Sequence, residues 1–199
     1  MLAMNRRSQE RHRMDMTEGD GVHELDPEAR TVFVESAPYS LCGPMFSVGD
    51  AAPDFQLWQY VEGSPVLINR ERLLEYQMPT LFCCLHSVDT RVGAIQARKF
   101  EQLLARFGHQ VSGFLVSSDL PFTQNRFSEK EMLTYLAVAS DYRGTFGRAF
   151  GIYLPELMFL TRSVIVIDAV ATIQHMEIVT EFTDEPNYDA AVDALAELL

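Results

Sequence analysis

Hydrophobic positions along the chain fall into short continuous runs and helically spaced stretches, which predict different elements. Residues 79–85 form an apolar run that begins at a proline, which is typical of a central strand buried on both faces. Residues 92–107 repeat apolar positions at near-helical spacing, and Gly108 follows as a stop, so this stretch predicts a helix. Residues 111–116 predict the next strand.

The rest of the chain continues this alternation. Residues 121–127 predict a helix that begins at a proline. Residues 163–167 and 172–179 predict two paired strands, of which the first ends at Asp168. Residues 186–199 predict a closing helix, with a proline in its first turn and acidic residues near its N-terminus. The order of these elements indicates an α/β fold with a mixed central sheet.

The N-terminal region divides into two parts. Residues 31–42 predict a short β-hairpin, with residues 37–39 near its turn. Residues 1–28 have few large apolar side chains and no periodic face, so we expect a flexible extension followed by one domain over residues 29–199. A basic arm for an acidic partner is the functional alternative for the extension. It is not a secretory signal, because no apolar run follows its arginines.

Composition and charge exclude several function classes. The chain has 199 residues, 47% of them hydrophobic, which is enough for one core without disulfides. Its formal net charge of -12 argues against nucleic-acid binding and against a polybasic membrane anchor. No apolar stretch is long enough to span a membrane. Without a targeting segment, the cytoplasm is the expected location.

The three cysteines are Cys42, Cys83 and Cys84, an odd number that does not indicate a disulfide framework. We expect Cys83 and Cys84 to pack against opposite faces of the sheet, and Cys42 to pack near the hairpin. The alternative is that one of the three is redox-active. The sequence contains no zinc, nucleoside-triphosphate or serine-hydrolase motif, so we expect neither a metal nor a cofactor.

Several segments, taken together in this order, resemble the thiol peroxidase subfamily of the peroxiredoxins. They are residues 48–55 (VGDAAPDF), 87–90 (SVDT), 118–127 (SDLPFTQNRF), 160–168 (LTRSVIVID) and 181–191 (EFTDEPNYDAA). The resemblance covers about residues 31 to 199. It implies a thioredoxin-like (peroxiredoxin) fold with helices flanking a mixed central sheet and an added N-terminal β-hairpin.

Both family cysteines are missing from this chain. The subfamily pattern P-x-x-x-T-x-x-C falls on His86, Thr90 and Gly93, so glycine stands at the position of the peroxidatic nucleophile. The resolving cysteine of the family's R-F-C segment falls on Ser128. Glycine offers no atom that can be oxidised to a sulfenic acid, so the resemblance implies a loss of the covalent step.

Thr90 and Arg162 match the family residues that orient peroxide and stabilise charge, and we expect both to face one remnant pocket. A small anion or a peroxide is the expected ligand there, since a helix N-terminus beside an arginine favours anions. The structural alternatives are that Thr90 only caps a helix, that Arg162 pairs with a carboxylate, and that His86 is a loop residue with a structural hydrogen bond. Gly93 is expected to leave space, so that Gly93→Cys would restore a thiol of lowered pKa and some peroxidase activity.

Three functions follow from this sequence. The first is a binding or regulatory pseudoenzyme, the second a residual thiol-dependent peroxidase that uses Cys42, Cys83 or Cys84, and the third a structural partner of an active relative. The resemblance also implies a homodimer, while the acidic composition predicts no nucleic-acid or membrane partner.

Overall fold

The computed structural model describes residues 30–199, so the predicted extension 1–28 and its basic-arm alternative lie outside the described residues. The strands of this part of the chain are β1 (Thr31–Val34), β2 (Ala37–Ser40), β3 (Gln56–Val61), β4 (Ser64–Asn69), β5 (Thr80–Cys84), β6 (Ser112–Ser117), β7 (Ala137–Ser140), β8 (Tyr153–Leu154), β9 (Phe159–Leu160), β10 (Ser163–Ile167) and β11 (Ile173–Ile178). The helices are α1 (Arg70–Tyr76), α2 (Arg91–Leu104), α3 (Pro121–Glu131), α4 (Thr145–Ala149) and α5 (Tyr188–Ala196).

A seven-stranded mixed sheet forms the centre of the fold, in the order β11-β10-β5-β6-β7-β3-β4. Strands β5, β6 and β7 are parallel, and the other neighbours are antiparallel. All of β5 is buried, as its continuous apolar run predicted. Phe82 and Cys84 join the hydrophobic cluster on one face, whereas Leu81 and Cys83 join the cluster on the other. The predicted mixed sheet and its central strand are confirmed.

Helices cover both faces of this sheet. Side chains of α2, α3 and α5 pack into one cluster, represented by Phe100, Phe127 and Leu195. Residues of α1 and α4, represented by Leu73 and Phe146, pack into the other. The predicted helix from 92 to 107 is present as α2, but it ends at Leu104 with Ala105 as its C-cap, before the expected stop at Gly108. The predicted strands at 111–116, 163–167 and 172–179 are confirmed as β6, β10 and β11.

The N-terminal hairpin is present, but its turn precedes residues 37–39. Glu35 and Ser36 both adopt a positive φ, 50° and 69°, as a two-residue hairpin loop requires. Residues 37–39 belong to β2, where Pro38 pairs with Phe33. A proline is tolerated there because this ladder has only two strands. The backbone N–H of Phe33 donates to Thr180 O, which attaches the hairpin to the main body.

The boundaries of α3 and α5 also differ from the prediction. Helix α3 continues beyond Phe127 to Glu131 and ends at Met132, whose φ of 54° closes the helix. The polar residues after Phe127 gave no apolar periodicity, although they are compatible with an exposed helical face. Helix α5 begins at Tyr188 rather than at Pro186, because Asn187 is the N-cap and its side chain accepts from Ala190 N.

Candidate functional site

The loop between β5 and α2 brings the chain to Thr90, which caps the helix. Thr90 Oγ1 accepts a hydrogen bond from the backbone N–H of Gly93 at 3.2 Å and donates to Ser87 O at 2.9 Å. Its hydroxyl therefore satisfies one of the free amides at the helix start and ties the loop to the first turn. Thr90 therefore has the helix-capping role that the sequence offered as its structural alternative. Its hydroxyl proton is donated to Ser87 O, and its oxygen accepts from Gly93 N.

Gly93 is buried in the first turn of α2, and the space expected in place of a side chain is not there. A Cβ atom added at this position would lie 2.7 Å from Ser87 O and 2.7 Å from Thr90 Oγ1. Contacts this short require the neighbouring atoms to move, and one of the two is a backbone carbonyl. The loop has closed over the glycine, so the expectation of a vacant side-chain position was wrong.

Asp119 holds this loop from the opposite side. Its carboxylate accepts hydrogen bonds from Val88 N at 2.7 Å, from Ser87 Oγ at 2.9 Å and from Ser117 Oγ at 2.8 Å. Because Val88 and Ser117 are buried, these donors have little access to water and depend on the carboxylate. Asp119 therefore fixes the backbone that approaches Gly93.

Arg162 lies just before β10 and is only 1% exposed. Its guanidinium donates to Gln96 Oε1 and, at 3.3 Å, to Phe182 O. Burial lowers the pKa of this arginine from its usual value, because the charged form loses hydration. Its hydrogen-bond partners are a side-chain amide and a backbone carbonyl. Within residues 30–199, Arg162 forms no ion pair with a carboxylate, which was the structural alternative for this residue.

Gln96 connects the arginine to a cysteine. Its Nε2 donates to Cys83 Sγ at 3.1 Å, while its Oε1 accepts from Arg162. The three side chains form a buried polar row between α2, β5 and the start of β10. Cys83 is thus linked to the guanidinium through one amide and does not replace the missing nucleophile at the helix start.

The described contacts do not join Thr90 to Arg162. Thr90 borders an open groove between α2 and α3, whereas Arg162 is enclosed beneath Gln96 and does not line that groove. Ser128, at the resolving position, is half-buried on α3, where its carbonyl accepts from Leu133 N. The shared pocket and its small anion or peroxide therefore stay predictions.

The cysteine thiols on β5 are fully buried and poorly suited to ionisation. Burial raises the pKa of Cys83 to about 12, although the Gln96 hydrogen bond and the Arg162 charge act in the opposite direction. Burial also raises the pKa of Cys84 well above its usual value. Both side chains pack on opposite faces of the sheet, as predicted. Cys42 is half-buried beside the hairpin, where its backbone bridges to Tyr153.

These burial differences predict the reactivity of the thiols. With an aromatic disulfide reagent at pH 8, we expect only Cys42 to react in the native protein, because the thiolate is the nucleophile and the other two are inaccessible. In denaturant, all three cysteines should react. The measurement is the absorbance of the released thiol, and Cys42→Ser should abolish the native reaction. Rapid native labelling of Cys83 would contradict the prediction.

His86 lies against aromatic rings, with centroid distances of 4.2 Å to Phe182 and 5.6 Å to Phe159. Burial lowers the pKa of His86 to about 4, and the nearby Arg162 charge acts in the same direction, while Asp119 opposes it. At neutral pH the imidazole is therefore uncharged and acts as a packing residue.

This histidine makes stability depend on pH. The unfolded chain protonates His86 near its ordinary pKa of 6.5, but the folded chain resists protonation until about pH 4. The free energy of unfolding should therefore fall as pH drops from 6.5 to 4, by about 2 kcal/mol for this partly exposed ring. His86→Phe should remove that part of the slope, as measured by urea unfolding at a series of pH values. Parallel curves for the two proteins would contradict this assignment.

Sequence reasoning missed Gln96 and Asp119. Asp119 lies within the segment 118–127, and its place directly after a buried strand was a usable signal. Gln96 is a polar residue on the apolar face of α2, and such a residue needs a buried partner. Neither pattern identifies the partner, which depends on tertiary packing.

A metal site and a membrane-spanning helix each place a requirement on the described residues. Within residues 30–199, no three histidine, cysteine, aspartate or glutamate side chains form a group that could hold a metal ion. In the same part of the chain, the helices are too short or too polar to cross a membrane.

Comparisons with known proteins agree with this architecture. The redoxin family profile matches residues 47–192. A thiol peroxidase from Bacillus subtilis is 34% identical over 167 residues, which cover 83% of this chain and 96% of that protein. A thiol peroxidase from Listeria monocytogenes is 36% identical over 163 residues, which cover 79% of this chain and 92% of that protein.

Solved structures resemble the fold as well. A peroxiredoxin-like protein from Aquifex aeolicus has a TM-score of 0.76 and 31% sequence identity, over 86% of this chain and 98% of that one. A thiol peroxidase from Chromobacterium violaceum has a TM-score of 0.73 over 84% of this chain and 96% of that one. Its sequence is 22% identical, so it supports the fold alone.

Proposed function

Since the chain belongs to the redoxin family and, within the peroxiredoxins, to the thiol peroxidase subfamily, we propose that it is a member without the peroxide-reducing step that serves as a binding or regulatory module. In thiol peroxidase chemistry, a thiolate attacks one peroxide oxygen and the O–O bond breaks. The sulfur becomes a sulfenic acid, and hydroxide or alkoxide leaves. This step needs a thiolate at the start of α2.

One observation carries the proposal. Gly93 stands at that position, and the atoms of Ser87 and Thr90 lie where a side chain would begin. The position of this loop supports the view that the fold has adapted to the glycine, because any side chain at residue 93 would require the loop to move. Ser128 at the resolving position supports the same conclusion, since a hydroxyl cannot form a disulfide.

The row formed by Cys83, Gln96 and Arg162 favours a second candidate, a residual thiol peroxidase. Arg162 and Gln96 both stabilise a thiolate at Cys83, yet burial outweighs them and raises the pKa of this thiol to about 12. The thiolate fraction at neutral pH is then very small, so we rank this candidate below the first.

Peroxide consumption separates the two candidates. The purified chain is mixed with hydrogen peroxide and a dithiol reductant, beside an equal thiol concentration of free cysteine. We expect no consumption above that free-thiol background. Turnover above background that disappears in Cys83→Ser would establish the residual enzyme and overturn the first proposal. Turnover that persists in this variant would also overturn the first proposal and would assign the residual activity to Cys42 or Cys84.

We also propose a homodimer and a cytoplasmic location. Leu120 and Phe122 are each 53% exposed at the start of α3, and the Phe122 ring lies 4.8 Å from the Tyr60 ring, so these side chains give an apolar surface that supports self-association. Three free cysteines support a reducing compartment. Light scattering coupled to gel filtration tests the dimer, and a mixed dimer with an active relative would support the structural-partner alternative. A monomer at micromolar concentration would exclude the homodimer.

A further inference from the structure

A groove of about 450 Å³ lies between the N-terminal half of α2 and helix α3. Its side chains include Arg91 and Arg98 on α2 and Arg126 and Lys130 on α3. The groove is therefore cationic in a chain whose formal net charge is -12. The local charge of the groove is thus opposite in sign to the net charge of the chain.

Most of this positive charge is not used within the fold. Arg98 is committed, since its guanidinium donates to both carboxylate oxygens of Glu131 at 2.5 and 2.9 Å. Arg126 donates to Thr123 Oγ1 at 3.3 Å, and both Arg91 and Lys130 are exposed. After the Arg98 pair is set aside, three cations and the single carboxylate of Asp89 remain along the groove.

The shape of the groove favours a polypeptide over a small anion. Arg126 and Lys130 are one helical turn apart, about 6 Å along α3, and Arg91 lies across the groove on α2. A single phosphate does not span such a set, whereas carboxylates two residues apart on an extended chain lie about 7 Å from each other. Half-buried Ala94 adds apolar lining for the intervening side chains, whereas Val88 and Phe127 are only 2% and 8% exposed.

We propose that this groove docks an acidic, extended peptide segment of a protein partner. The inference rests on the proposed binding role and names the chemistry of what is bound. Because the attraction rests on charge, binding at the groove should weaken as salt is raised above physiological concentration.

The test uses the full chain and a short fluorescein-labelled peptide in which glutamate alternates with alanine or leucine. Binding is followed by fluorescence anisotropy, with a glutamine-for-glutamate peptide as the ligand control. Arg91→Glu/Lys130→Glu should weaken binding roughly ten-fold or more. Arg106→Glu reverses an exposed charge outside the groove, beyond the end of α2, and should leave binding unchanged. If charge reversal prevents folding, Arg91→Gln/Lys130→Gln provides the same comparison.

Several outcomes would overturn the proposal. Absence of peptide binding would do so, and so would an equal loss in Arg106→Glu, which would indicate nonspecific attraction. Displacement of the peptide by inorganic phosphate, but not by sodium chloride of the same ionic strength, would assign the groove to small anions. The peroxide assay is independent of these results, so failure of this inference is distinguishable from failure of the proposed function.

Discussion

Gly93→Cys is expected to create a thiol that peroxide oxidises roughly ten-fold faster than Cys42 in the same protein. The new sulfur would lie at the N-terminus of a 14-residue helix, where the backbone dipole favours the thiolate. Lowering a thiol pKa from about 8.5 to about 7 raises its thiolate fraction at pH 7 from a few per cent to about half. Oxidation is measured by mass spectrometry, as the addition of oxygen to the peptide that contains residue 93.

The same substitution should also cost stability. Its Cβ would lie 2.7 Å from Ser87 O, so the loop must move outward, at a cost of about 1–3 kcal/mol for overpacking. The gain in helix propensity on replacing glycine, up to about 1 kcal/mol, does not offset this. We therefore expect a net loss in the free energy of unfolding, measured in urea.

Gly93→Ser separates packing from chemistry, because serine brings nearly the same bulk without an oxidisable sulfur. It should lose similar stability and gain no oxygen. If the residue-93 thiol of Gly93→Cys reacts no faster than Cys42, the retained elements around the helix start are no longer arranged for peroxide chemistry. If neither variant is destabilised, the loop over residue 93 can move at a lower cost in free energy than its short contacts indicate.

The parts of the fold that the sequence predicted are those with one dominant local pattern. Strands β5 and β10 are buried throughout and read as continuous apolar runs, and α2 repeats its apolar face over several turns. The hairpin of β3 and β4 was missed, because its residues are mixed in burial and do not alternate cleanly. Strands β8 and β9 have 2 residues each, and α4 has 5, too few to establish a period.

The site was predictable as a set of residues but not as a geometry. The sequence pattern placed Thr90 at the start of a helix and Arg162 before a strand, and both lie there. It could not show that Gln96 separates Arg162 from Cys83, since side-chain direction is decided by packing between distant segments. The same limit applies to Gly93, whose neighbours are set by the path of the loop.

Asp119→Ala is expected to destabilise the protein by about 3–4 kcal/mol. The carboxylate accepts from Val88 N, Ser87 Oγ and Ser117 Oγ, all within 2.9 Å. Hydrogen bonds to a charged group contribute about 1.5–3 kcal/mol each, although bonds to one shared carboxylate do not add fully. Val88 is 2% exposed, so its amide would be left buried without this acceptor. Urea unfolding measures the loss, and hydrogen exchange at the Val88 amide should become faster.

Matched variants distinguish this role from a general effect of charge. Asp119→Asn keeps one acceptor oxygen and should lose less stability than Asp119→Ala, whereas Asp89→Ala removes an exposed carboxylate from the same loop and should change stability by less than about 0.5 kcal/mol. Equal losses at both positions would mean that Asp119 acts only through its charge. If Asp119→Ala is as stable as the parent chain, another group holds the loop closed over Gly93.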